Sequence, residues 1–149
     1  MNLFWNINAQ QLIPGLAGGG AVTLIICVLR DALPVSLYLC NEQSNISTPY
    51  AVTAITSGHS VKFGAKAALT DLTYLSEQAT WTPAGSGATQ RYEAGIPLDG
   101  AALIAAMTGL SSLDLFAEFT TQDAAGHQYL STKFTLRVIP DVITGSETP

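Results

Sequence analysis

Apolar and polar residues alternate most cleanly over Ser60–Lys66, where Val61, Phe63 and Ala65 interleave with Ser60, Lys62, Gly64 and Lys66. A period of two sets one face on a core and the other in water, which is a β-strand. The pattern returns at residues 91–98, with Tyr92, Ala94 and Ile96 on one face. It returns at residues 112–121, with Leu113, Leu115, Ala117 and Phe119, and at residues 129–139, with Phe134, Leu136 and Val138. Asp123-Ala124-Ala125-Gly126 lies between the last two and predicts a hairpin turn. Residues 22–29 are continuously apolar and β-branched, which predicts a strand buried on both faces. Residues 33–40 form a second run with Pro34 at its start, where a strand tolerates proline. A polar loop at residues 41–49, a short strand at 50–56 and a turn at Ser57-Gly58-His59 follow.

One helix is expected, over residues 99–110. Leu103, Ile104, Met107 and Leu110 fall at helical spacing, Asp99 can cap the start, and Gly109 marks the end. Leu69, Leu72 and Leu75, three apart, predict a loop with one helical turn. Residues 1–20 read as an arm and hinge: Leu3, Phe4, Trp5, Ile7, Leu12 and Ile13 are apolar, and glycines follow Pro14. Such an arm docks on a neighbouring subunit or folds back as an edge strand of its own domain. Residues 21–149 then make a single domain of seven or eight short strands and one short helix, which points to a mostly β protein, a β-sandwich.

Charge narrows the partners. Only 11% of the 149 residues are charged, less than half the share of an ordinary soluble domain. A sparsely charged surface favours association, because little self-repulsion keeps copies apart. The net charge is −5, and Arg30, Lys62, Lys66, Arg91, Lys133 and Arg137 stand singly. Nucleic acid, which needs a basic stripe, is therefore not expected, nor is an anionic membrane surface. Residues 12–29 carry no charge, but Pro14 and the glycines break the stretch and Arg30-Asp31 close it. No basic residue precedes it as a signal peptide requires, so a loop feeding a buried strand is expected rather than a membrane span. Cys27 and Cys40 sit in apolar runs and read as buried free thiols, with a cross-strand disulfide as the alternative.

Candidate chemistry is thin. His59 and His127 stand beside glycines in predicted turns, without the convergent ligands of a metal site. No nucleophile elbow accompanies them. Asp114 and Glu118 share one face of a strand, as paired glycosidase carboxylates could, yet Lys133 or Arg137 beside them would make an ordinary solvated face. Gly18-Gly19-Gly20 lacks the lysine and helix of a phosphate loop. Asn45-Ile46-Ser47 matches a glycosylation sequon without a secretory signal. No catalytic residue, metal or cofactor is expected. Trp5, Trp81, Tyr74 and Tyr92 remain as rings on which a glycan could stack.

The residues from about 60 onward carry a resemblance. Phe63-Gly64-Ala65-Lys66, Ala68-Leu69-Thr70, Trp81-Thr82 and the run from Arg91 to Asp99 lead into the helix. The run from Leu113 through Glu118 follows, and then Pro140-Asp141-Val142-Ile143-Thr144-Gly145-Ser146-Glu147-Thr148-Pro149. Together they resemble a domain of bacteriophage and prophage tail fibre and baseplate proteins, of the BppU N-terminal-like kind. The sequence departs from that pattern at Pro140, where asparagine is common, at Asp99-Gly100, where Asn-Thr is usual, and by a shorter Glu-to-Pro spacing. The resemblance implies an immunoglobulin-like antiparallel β-sandwich in the virion, assembled in the bacterial cytoplasm. Its implied partners are other tail subunits and copies of itself, with a trimer favoured. These motifs are structural, so no site residue comes with them. Recognition of a host-surface glycan is the alternative function.

Overall fold

A computed structural model describes residues 1–141 and, at Tyr129 and Leu130, the backbone alone. The expected polar tail at residues 144–149, with the motif beyond Asp141, lies outside the described residues. In chain order the elements are β1 (Asn2–Asn6), β2 (Gln11–Ile13), β3 (Leu24–Val28), β4 (Leu33–Glu42), β5 (Tyr50–Val52), β6 (Ser60–Lys66) and β7 (Ser76–Gln78). Then come β8 (Thr82–Ala84), β9 (Arg91–Ile96), α1 (Ala101–Met107), β10 (Leu113–Gln122) and β11 (Gln128–Ile139).

The strands form two mixed sheets. The first runs β2-β1-β4-β9-β8, with β5 added on β4, and the second runs β3-β11-β10-β6-β7. Most neighbours are antiparallel, but β1 lies parallel to β4 and β3 parallel to β11. The expectation of an antiparallel architecture is corrected at those two pairs. Both join an N-terminal strand to one far along the chain, which a hairpin cannot do. Alternating side chains from both sheets meet in one core, where Trp5, Leu37 and Ile96 of the first sheet join Phe63, Phe119 and Leu136 of the second. Within it Phe119 stacks on Phe134 at 5.3 Å and meets the edge of Trp81 at 5.7 Å. Such ring pairs each add about 0.5–1.5 kcal/mol beyond the area they bury.

Residues 1–13 are part of this core. Asn6 Oδ1 accepts the backbone N–H groups of Asn8 and Ala9 at 3.1 and 3.4 Å, which turns the chain from β1 into β2. Gln10 completes the turn at φ 54°. Asn6 itself is buried and donates from Nδ2 to Glu42 Oε1 at 3.0 Å, which ties the turn to the end of β4.

Three further expectations are corrected. β3 is an edge strand rather than one buried on both faces: Ile25 and Cys27 point into the core, while Leu24 and Ile26 are 40% and 54% exposed. The helix is shorter than residues 99–110, and Gly100 rather than Asp99 stands at its N-cap without a side-chain bond. Gly109, at φ 76°, follows its last turn. No helical turn occupies residues 67–77; Leu75 packs on the core, whereas Leu69 and Leu72 face solvent.

Candidate interaction surface

The outer face of the second sheet carries several exposed apolar side chains on its strands, whereas the more exposed Ile46 and Leu72 lie in loops. It is built by alternation: Leu115, Ala117 and Phe119 of β10 point inward, so Phe116 points out and is 51% exposed. Register aligns Phe116 with Thr135 of β11 on one side and Lys66 of β6 on the other. Thr135 in turn pairs with Leu24 of β3, so Leu24 and Phe116 lie in one row, about 10 Å apart across two strand spacings. In the next row Ile26 stands beside Arg137, and Arg137 beside Asp114.

At the β6 side the loop before β7 brings Leu69 and Tyr74 over the sheet. Phe116, Leu69 and Tyr74, with the charged Lys66, Glu118 and Lys133, line a shallow depression of about 270 Å³. The Lys66 ammonium lies 4.8 Å from the centre of the Tyr74 ring, and it donates to the Asp71 carbonyl at 2.8 Å. Tyr74 covers Gly64, where any Cβ would collide with the ring. On the other side of Tyr74 a second depression of about 260 Å³ is polar, lined by Lys62, Glu77, Glu118, Thr120 and Gln122. The face is thus mixed: Leu24 and Ile26 at one edge and Phe116 and Leu69 nearer the other are separated by Thr135 and the Arg137–Asp114 pair.

The residues singled out from the sequence fall elsewhere or take other roles. Leu3, Trp5, Leu12 and Ile13 of the candidate arm are buried within this chain, and Phe4 and Ile7 are half-buried. Phe4 stacks on Tyr38 at 4.9 Å. Of the candidate glycan-stacking rings, Trp5, Trp81 and Tyr92 are all buried, so none turns an open face to solvent; Tyr74 is 47% exposed. Trp81 Nε1 donates to the Gln78 carbonyl at 3.0 Å. Trp5 Nε1 is buried without a described partner.

The candidate acidic pair is split. Asp114 takes a bidentate bond from Arg137, with Nε to Oδ1 at 2.7 Å and Nη2 to Oδ2 at 2.8 Å. That hydrogen bonding holds the Asp114 carboxyl below its ordinary range. Glu118 instead stands opposite Lys133. His127 lies on the exposed hairpin, where the Asp123 carboxylate accepts backbone bonds from Ala125 and His127, both at 2.9 Å. The bond from the His127 backbone is the main reason that the Asp123 carboxyl is also lowered. His59 is half-buried, and its carbonyl accepts the Tyr92 hydroxyl at 3.5 Å. Among the described residues no three His, Cys, Asp or Glu side chains converge on a point. Cys27 and Cys40 are free and buried in different sheets, and burial pushes both thiols up to about 11. No described helix is long and apolar enough to cross a membrane.

Sequence reasoning missed the surface at Leu24 and Ile26, because a continuous apolar run does not reveal which of its faces is covered. The alternation around Phe116 was the available signal there. Neither a scan against protein-family models nor a search of curated proteins finds a match for the chain.

Proposed function

We propose that the chain is a structural and assembly module of a bacteriophage or prophage tail, a fibre or baseplate component. It works through protein–protein contacts with other tail subunits and copies of itself, without catalysing a reaction. The observation that carries the contact reading is the set of exposed apolar side chains on the outer side of the second sheet, Leu24, Ile26, Phe116 and Leu69, set among charged pairs. Exposed apolar side chains on one side of a sheet favour association over solvation. The low charge content supports the same reading. The tail assignment is supported by the motifs from Phe63 onward. On this reading the two sheets are an immunoglobulin-like sandwich, with β1 and β3 as parallel additions.

Immunogold labelling of tail particles released from the bacterium that encodes the chain tests the assignment. Label on the tail fibre or baseplate is the expected result. Chain found only in the soluble fraction, with unlabelled tails, contradicts it.

A further inference from the structure

Among the described residues, the edge of β3 lacks the guards that the other sheet edges carry. The strands β2, β7 and β8 that end the two sheets, and the side strand β5, are each three residues long. Pro14 follows β2, Pro49 precedes β5, Pro83 sits within β8, and β7 carries Glu77. Shortness, proline and charge each stop an edge from recruiting another strand. β3 is five residues long, Leu24-Ile25-Ile26-Cys27-Val28, with no charge, glycine or proline. Thr23 and Leu29 extend it with the same character. Strand-on-strand association selects such a segment.

The direction of its backbone groups is fixed by β11. Thr135 N–H donates to the Thr23 carbonyl at 2.8 Å, and Leu29 N–H donates to the Ile139 carbonyl at 2.9 Å. Odd-numbered residues therefore face β11. By alternation the N–H and C=O groups of Leu24, Ile26 and Val28 point to the open edge, which no strand among the described residues occupies.

We propose that this edge pairs with β3 of a second copy of the chain, antiparallel about a twofold axis at Ile26. The inference rests on the contact-protein reading above and adds one contact to it, at the edge of the same sheet. The segment is complementary to itself. Ile26 meets its own counterpart, Leu24 meets Val28, and three such pairs exchange about six backbone hydrogen bonds. The side chains turned outward on both copies are apolar and form one stripe across the junction, while Ile25 and Cys27 stay in their own core. Arg30 and Asp31 fall opposite Val22 and Ala21 of the second copy, so no like charges meet. A foreign strand would need a matching apolar sequence of its own, whereas a twofold contact requires only the one patch already present. The two five-stranded sheets become one continuous sheet.

The test uses the full 149-residue chain. Light scattering is expected to give twice the chain mass for the native protein, half of that for Ile26→Lys, and an unchanged dimer for Leu72→Lys, whose site is exposed elsewhere. Because a lysine at an edge can also disturb folding, hydrogen exchange of the native protein supplies a second reading. The amides of Leu24, Ile26 and Val28 are expected to become protected as concentration rises. An oligomer that Ile26→Lys leaves intact and whose edge amides exchange freely would overturn the edge contact but not the assembly reading, and a trimer would do the same. Protection of those amides in a monomer at every concentration would show that the chain covers its own edge. A monomer with unprotected edge amides at every concentration overturns both the edge contact and self-association.

Discussion

The ring of Tyr74 lies directly against the backbone of Gly64, in the space that any larger residue would fill. Gly64 is the one outward-facing position of β6 without a side chain, and it lets the loop before β7 lie down on the sheet. Gly64→Ala is expected to push Tyr74 off the surface and break its contact with Lys66. Stability should change by less than about 1 kcal/mol, since alanine restrains the unfolded chain more than glycine does. Loss of the ring-current shifts on the Lys66 side chain in NMR spectra checks this. Unchanged shifts would contradict it.

Trp5 connects the N-terminus to the core. It is fully buried, and β1 sits between β2 and β4. Trp5→Ala should cost about 3–5 kcal/mol. Trp5→Phe keeps a ring and removes a buried N–H that has no described partner, so it should cost less than half as much. Deleting residues 1–20 removes β1 and β2 together and exposes the β4 edge and Leu37. The truncated chain is expected to lose cooperative unfolding. Urea melts followed by tryptophan fluorescence and circular dichroism measure all three.

The thiols are expected to be inert in the folded protein. At pH 8 a thiol reagent should leave Cys27 and Cys40 unmodified, then react with both in denaturant. The raised values also set a direction with pH. Below pH 9 both folded and unfolded chains hold the thiol protons. Between 9 and about 11 the unfolded chain loses them first, so stability falls as pH rises through that window. Replacing both cysteines with alanine should flatten that alkaline limb.

On the acid side Asp114 and Asp123 are both lowered from an ordinary value of 3.8. The folded state holds these carboxylates charged more readily than the unfolded chain. Their contribution is complete above the unfolded value and is lost as pH falls through the folded values. Asp114→Asn removes the titrating charge and the bidentate pairing with Arg137 and should make the melting temperature less sensitive to pH below about 4. An unchanged acid limb would show that the pair does not contribute.

Much of this architecture was legible because alternation is local. β6, β9, β10 and β11 follow from residues two apart, and their inward side chains Phe63, Tyr92, Phe119 and Leu136 are all buried. What depended on topology was not legible. Nothing near Leu3 or Trp5 announces that β1 pairs parallel with β4, more than thirty residues on. The run from Val22 to Leu29 is apolar throughout, so its edge position had no signature in composition. Leu69 and Leu72 imitate helical spacing without a buried face to meet. β8 has no sequence signature because it is three residues long and holds Pro83, which only an edge strand accepts. The candidate surface was legible in part: Phe116 breaks the polar side of a clear alternation, whereas nothing in the apolar run announces that the face bearing Leu24 and Ile26 is uncovered.

The central claim is that the chain assembles with copies of itself. Its most direct test is the solution mass of the full chain by sedimentation equilibrium across a wide concentration range. The account predicts reversible association that persists as salt is raised, because no ion pair crosses the β3 contact. A single copy at every concentration and salt level would contradict it.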